Sequence, residues 1–267
     1  MEKGSDGVFN AGDYVLFYAQ GVNKWSYDKT RGMFTHAINS YSTHGYYFVT
    51  SDAGSGKKIE NQTITVPENA TVIPVEEFTD YAVHEQESIS LALSGKEFYG
   101  EKFSEQTSYN FNFNFPNPVT TNTTKVRLDV ASLASSISTF TLNLDGITKS
   151  LSVSKRSEGD NYEKGKGANG TFTYTPTKEA FNFTLTYVKP TSAAVAYLNY
   201  LEVNARRYLK MSGSVMQFQN IDYLGLDTYN QYRLSDANSN IQIWDITNPQ
   251  QVSRISTENI NNKLSFT

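Results

Sequence analysis

Apolar and polar residues alternate with a period of two along much of this chain, which is the pattern of half-buried β-strands. In "YNFNFNF", Tyr109, Phe111, Phe113 and Phe115 fall on one side while Asn110, Asn112 and Asn114 fall on the other. "FNFTLTY" repeats the arrangement, with Phe181, Phe183, Leu185 and Tyr187 opposed to Asn182, Thr184 and Thr186. "STFTLNLDGITKSLSV" reads as a hairpin: Phe140, Leu142 and Leu144 lead into Asp145-Gly146, which tolerates the positive φ angles of a tight turn, and Ile147, Leu151 and Val153 return. Further strands are expected over residues 14–18, 46–50, 125–130, 171–175, 195–203, 215–218 and 241–246. Residues 156–170 collect glycine and charge without periodicity and read as a surface loop. Helix is scarce; residues 74–93 can hold a turn or two.

So many strands are enough for two packed sheets with edges left over. The expected fold is all-β, a jelly-roll-like antiparallel β-sandwich flanked by strands of a second, incomplete β unit. Three zones follow: residues 1–77 as the terminal part of a preceding β module, 78–210 as the central sandwich, and 211–267 as strands leading towards a downstream domain. The first zone begins with a polar loop that runs directly into an apolar strand. The last ends on "NNKLSFT", where a strand is starting. Both ends therefore read as cut.

Composition agrees with strands and turns. The chain has 18 Tyr and 16 Phe in 267 residues, with Thr, Asn and Ser in the polar positions. The net charge of −4, without a dense Lys/Arg cluster, argues against nucleic-acid binding. No apolar stretch approaches the ~20 residues of a membrane-spanning helix. The absence of cysteine removes disulfides, thiolate metal sites and a cysteine nucleophile from this sequence.

Candidate chemistry is sparse. Glu2, Asp6, Asn10 and Asp13 supply oxygen ligands among Gly4, Gly7 and Gly12, a set that a calcium ion would take. The spacing is not that of an EF-hand, and the alternative is an ordinary polar loop before a strand. His36, His44 and His84 fall in no ligand or catalytic array, and "HEQE" at His84 equally describes a surface ion pair. Trp25, Tyr27, Phe98 and Tyr99 lie in polar surroundings, where a ring stacks on a sugar, fills a partner's pocket, or caps the sandwich core. No cofactor other than calcium is suggested. A pair of carboxylates for glycoside hydrolysis has no sequence signature to single it out.

Several stretches, in order, resemble one family: "DGVFNAGDYVLFYAQG", "KWSYD", "YYFVT", "HEQE" followed by "SGKEFYGEKF", "AYLNYLEVNARRYL", and "IQIWDITNP". The set is similar to the region before the peptidase domain in gingipain-like cysteine peptidases of Bacteroidetes, especially the PorU-type sortases of the type IX secretion system. The resemblance implies non-catalytic β-sandwich modules, with the catalytic His and Cys further along in an α/β domain. No catalytic residue is carried over. It further implies a surface-associated, exported parent that removes a C-terminal sorting signal from secreted cargo and joins the new carboxyl group to a lipopolysaccharide amine. The implied partners are the downstream peptidase domain, secreted cargo and secretion-system proteins. The rival reading is a stand-alone carbohydrate-binding or adhesion module, which requires the four aromatic residues to line one concave face.

Overall fold

The alternating segments become paired strands in the computed structural model, which describes residues 9–50, 54, 56, 58–93, 95, 97–157, 164–223 and 227–267. Before the sandwich lie β1 (Lys24–Asp28), β2 (Met33–Ala37), β3 (Glu60–Gln62) and β4 (Val72–Val75). The sandwich comprises β5 (Glu77–Glu85), β6 (Lys102–Phe103), β7 (Ser108–Asn114), β8 (Thr124–Ser132), β9 (Ser138–Leu144), β10 (Ile147–Val153), β11 (Lys166–Tyr174), β12 (Ala180–Val188) and β13 (Ala196–Tyr208). After it come β14 (Tyr229–Leu234), β15 (Ile243–Asp245), β16 (Ser253–Ile255), β17 (Glu258–Ile260) and β18 (Lys263–Phe266).

Setting aside the short β6, the sandwich strands pair from the outside inward. β5 joins β13, β7 joins β12, β8 joins β11, and β9 joins β10, all antiparallel. The two sheets run β10-β9-β12-β7 and β11-β8-β13-β5, with β6 added on β13. This nested order is a jelly roll. Its core takes the inward side of each alternating strand, so Phe140, Phe181, Phe183 and Leu185 of one sheet meet Val126, Leu128, Leu201 and Val203 of the other. The turn at Asp145 (φ 49°) and Gly146 (φ 100°) has the two positive angles its sequence invites.

β13 departs from alternation. Both Leu198 and Leu201 lie in the core although they are three positions apart, and a bulge between Leu198 and Tyr200 accommodates this by letting Asn199 drop out of register with β8. The strand is buried on both faces. Its inner face meets the core, while Glu202 and Asn204 on the other lie beneath the β1–β2 ribbon.

The flanking strands form two small mixed sheets. β4 runs parallel to β14 in the order β17-β18-β14-β4, and β3 runs parallel to β16 in the order β15-β16-β3. Segments from before and after the sandwich thus share sheets. Their core gathers Leu234, Ile243, Ile255, Leu264 and Phe266 around Phe78 of β5 and Leu209 just past β13.

Four local expectations are corrected. Residues 74–93 hold no helix; their middle is the nine-residue β5, which exposes neither face fully because one meets the core and the other the ribbon. Residues 14–18 and 46–50 form no strand and, apart from the half-buried Tyr18, are exposed, with only an isolated bridge at Val15. Residues 215–218 also form no strand, although Met216 and Phe218 pack against the second core. Finally, β11 starts at Lys166, inside the expected surface loop, since a backbone ladder to β8 needs no side-chain pattern.

Candidate functional site

The densest polar arrangement lies on the outer face of the five-stranded sheet, under the β1–β2 hairpin. That hairpin turns at Asp28, whose carboxylate accepts from the N–H groups of Thr30 (2.8 Å) and Arg31 (3.0 Å), and Gly32 follows with φ 61°. Lys125 of β8 pins the turn from below, donating to the carbonyls of Arg31 (3.0 Å) and Gly32 (2.8 Å).

His36 is the centre of this arrangement. Its Nδ1 pairs with Glu202 Oε1 at 2.5 Å, and its Nε2 pairs with Glu85. The backbone N–H of His36 also donates to Glu202 Oε1, at 2.8 Å. Arg127 reaches the other oxygen of Glu202 at 3.4 Å and lies over the Tyr200 ring, 5.2 Å from its centroid. The side chains of His36, Glu85 and Glu202 are 5%, 9% and 1% exposed. Burial opposes a charge on His36, but hydrogen bonds and attraction from Glu202 and Glu85 outweigh it and raise the pKa from 6.5 to about 9. Two cations and two anions therefore balance in a space that excludes water. With both ring nitrogens engaged, His36 has none left to serve a substrate as general base.

A second histidine pair is smaller. His84 Nε2 donates to Glu101 at 2.7 Å, and the ring packs edgewise on Phe111 at 4.7 Å. "HEQE" is thus divided in space, since Glu85 turns to His36 while His84 turns to Glu101.

The predicted aromatic residues do not form one platform. Trp25 packs on Tyr81 with ring centroids 4.0 Å apart and lies 5.6 Å from His36. Tyr27 packs on Phe34 at 5.4 Å. Tyr99 is buried with Ala131 and Tyr197, only 8% exposed, so its ring has no face free for a sugar. Phe98 beside it is half-buried. Trp25 thus covers β5, and Tyr99 packs against β8 and β13.

Of the calcium candidates, Glu2 and Asp6 lie outside the described residues. Asn10 and Asp13 close a turn on each other: the Asn10 N–H donates to Asp13 Oδ2 at 2.9 Å, and the Asp13 N–H to the Asn10 carbonyl at 3.0 Å. Among the described residues no group of three or more His, Cys, Asp or Glu side chains is placed to hold a metal ion.

The surface feature that alternation did not foresee is apolar. Tyr14, Val15, Leu16 and Phe17 are 40–54% exposed, and Tyr46, Tyr47, Phe48 and Val49 are 51–96% exposed. The two segments run close together, with the Phe17 and Tyr47 rings 6.3 Å apart and the Tyr47 hydroxyl donating to the Gln20 carbonyl at 2.6 Å. Exposed aromatic and aliphatic residues gathered in this way are what a docking surface looks like.

No protein-family model matches the sequence, and no curated protein matches it either. Among solved structures, dimeric latent PorU from Porphyromonas gingivalis is similar over 94% of this chain and 24% of that one, with a TM-score of 0.83 at 21% identity. The shared property is the fold, and this chain spans about a quarter of PorU's length. A carbohydrate-binding module, CBM36, in complex with calcium and xylotriose aligns with 46% of this chain and 98% of its own, at 15% identity and a TM-score of 0.33. The CBM36-1 domain of a multidomain xylanase from the hindgut metagenome of Trinervitermes trinervoides gives 51% and 100% coverage, 12% identity and the same score. Scores this low carry no functional inference.

Proposed function

We propose that this chain is a non-catalytic structural and interaction region of a larger, exported, gingipain-like cysteine peptidase, acting as a sortase of the type IX secretion system. The observation that carries the reading is the extent of the likeness to PorU. It takes in 94% of this chain, so it includes the flanking mixed sheets as well as the jelly roll. The chemistry is compatible. The sequence has no cysteine for a nucleophile, and its most buried histidine is committed to two carboxylates. The jelly roll then serves as a rigid body, and the exposed segments around Phe17 and Phe48 are the surface on which a peptidase domain, secreted cargo or a secretion partner docks. The parent belongs at the cell surface, in the outer membrane or the periplasm. A stand-alone glycan-binding module is disfavoured because Tyr99 is buried and Trp25 is stacked on Tyr81.

Immunoblotting fractionated cells with an antibody to this chain tests the reading. A band well above 29.9 kDa in the envelope fraction is expected. A band at 29.9 kDa overturns it and returns attention to glycan binding.

A further inference from the structure

We infer that the β1–β2 ribbon is a detachable strap, latched onto the outer face of the jelly roll by His36 and opened when His36 loses its proton. The ribbon is a two-stranded sheet of its own: β1 and β2 pair only with each other among the described strands. It is held to the sandwich by side chains. The polar links include the Asn204 amide on Phe34, Lys125 on the turn carbonyls, Glu202 on the His36 N–H, and the His36 ring between Glu85 and Glu202. Trp25 and Phe34, packed on Tyr81, supply the apolar part. A hairpin attached in this way can lift without breaking any ladder of the jelly roll, so its opening is separable from global unfolding.

Among these links, His36 is the one whose charge changes between its free pKa of 6.5 and its raised value of about 9. β5 presents Glu85 to it, with Glu87 just beyond; β13 presents Glu202 and Tyr200; β8 brings Arg127 to Glu202, and the ribbon's own Arg31 adds its charge at Glu202. Burial and the charge of Glu85 raise the pKa of Glu87 above the usual carboxylate value. With His36 protonated, the two carboxylates at its nitrogens are balanced by two cations. Without that proton, Glu202 keeps Arg127 and the charge of Arg31, Glu85 loses the cation it is paired with, and one ring nitrogen faces a carboxylate with no hydrogen between them. In the latched state His36 holds its proton up to about pH 9, against 6.5 when free. The latch is therefore at full strength below about pH 6.5 and fades as pH rises through about 9. Opening uncovers Tyr81, Tyr200, Glu85, Glu202 and Asn204 together, a mixed aromatic and acidic surface. This inference does not depend on the parent being a peptidase.

Hydrogen exchange of the ribbon amides, corrected for intrinsic rate, tests it between about pH 6 and pH 10. Protection of residues 24–37 is expected to fall about tenfold per pH unit between 6.5 and about 9, while β8, β9, β12 and β13 stay protected. In Trp244→Phe, the emission of Trp25 should move to longer wavelength over the same range. His36→Gln should show the low protection already at about pH 6 and lose the pH dependence. If that variant does not fold, the wild-type titration decides alone. Ribbon protection that is flat across the range, or that falls only together with the jelly-roll strands, overturns the latch.

Discussion

The side-chain amide of Asn204 pairs with both backbone groups of Phe34, accepting from its N–H at 2.6 Å and donating to its carbonyl at 2.9 Å. A side chain of β13 thus takes the place of a strand partner for β2. Both partners are buried, with Asn204 only 4% exposed and Phe34 3%. Asn204→Ala should leave the Phe34 N–H and carbonyl unsatisfied and cost roughly 2 kcal/mol. The loss should appear first as faster exchange of the ribbon amides, and urea denaturation should report the remainder. An unchanged ribbon would mean that the apolar contacts of Trp25 and Phe34 suffice.

Phe183 anchors the jelly-roll core, fully buried between Phe113 at 5.6 Å and Tyr174 at 5.4 Å. Phe183→Ala removes a ring from a site walled by two sheets that cannot collapse together, so it should cost about 3–5 kcal/mol in urea denaturation. A loss below about 1 kcal/mol would contradict the packing described.

Glu101 gives a pH-dependent contribution of opposite sign to that of His36. Burial favours its neutral form, but the hydrogen bond from His84, a backbone hydrogen bond and the charge of His84 together outweigh this and hold its pKa below the usual 4.5. The stability it adds is therefore present above about pH 4.5 and lost as pH falls through the lowered value. Glu101→Gln should cost about 1 kcal/mol at neutral pH, and the gap from wild type should close in strong acid. A gap that does not vary with pH would show that the carboxylate's charge is immaterial.

Phe48 tests the exposed apolar segments. It is 96% exposed, so Phe48→Ser should change stability by no more than about 0.5 kcal/mol while reducing binding of a hydrophobic dye. A loss of stability above about 1 kcal/mol would show that the ring is packed within this chain and is not surface open to a partner.

How much of this was legible in the sequence depended on whether one face of an element is wet. β7 and β12 alternate cleanly because Asn112 and Asn182 meet water while Phe113 and Phe181 meet the core. β5 and β13 carry no such record, since the ribbon covers what would have been their polar face; β5 looked compatible with a helical turn, and the bulge at Asn199 broke the period of β13. The apolar runs at residues 14–18 and 46–50 looked like buried strands because hydrophobicity alone does not say what covers it. The histidine site had no local signature. His36 is 49 residues from Glu85 and 166 from Glu202, and only the pairing of β5 with β13, together with the fold of the ribbon over both, brings them together. The aromatic residues stood out by their polar sequence surroundings, but their partners, Tyr81 for Trp25 and Tyr197 for Tyr99, lie on other strands.

The most direct test of the proposed function is to capture the natural protein from cells with an antibody to this chain and treat it with an active-site-directed probe for cysteine peptidases. The chain has no cysteine, so any specific label must lie on additional polypeptide. A captured protein that is well above 29.9 kDa and carries the probe is the predicted result. A captured protein of 29.9 kDa that takes no label would contradict the account.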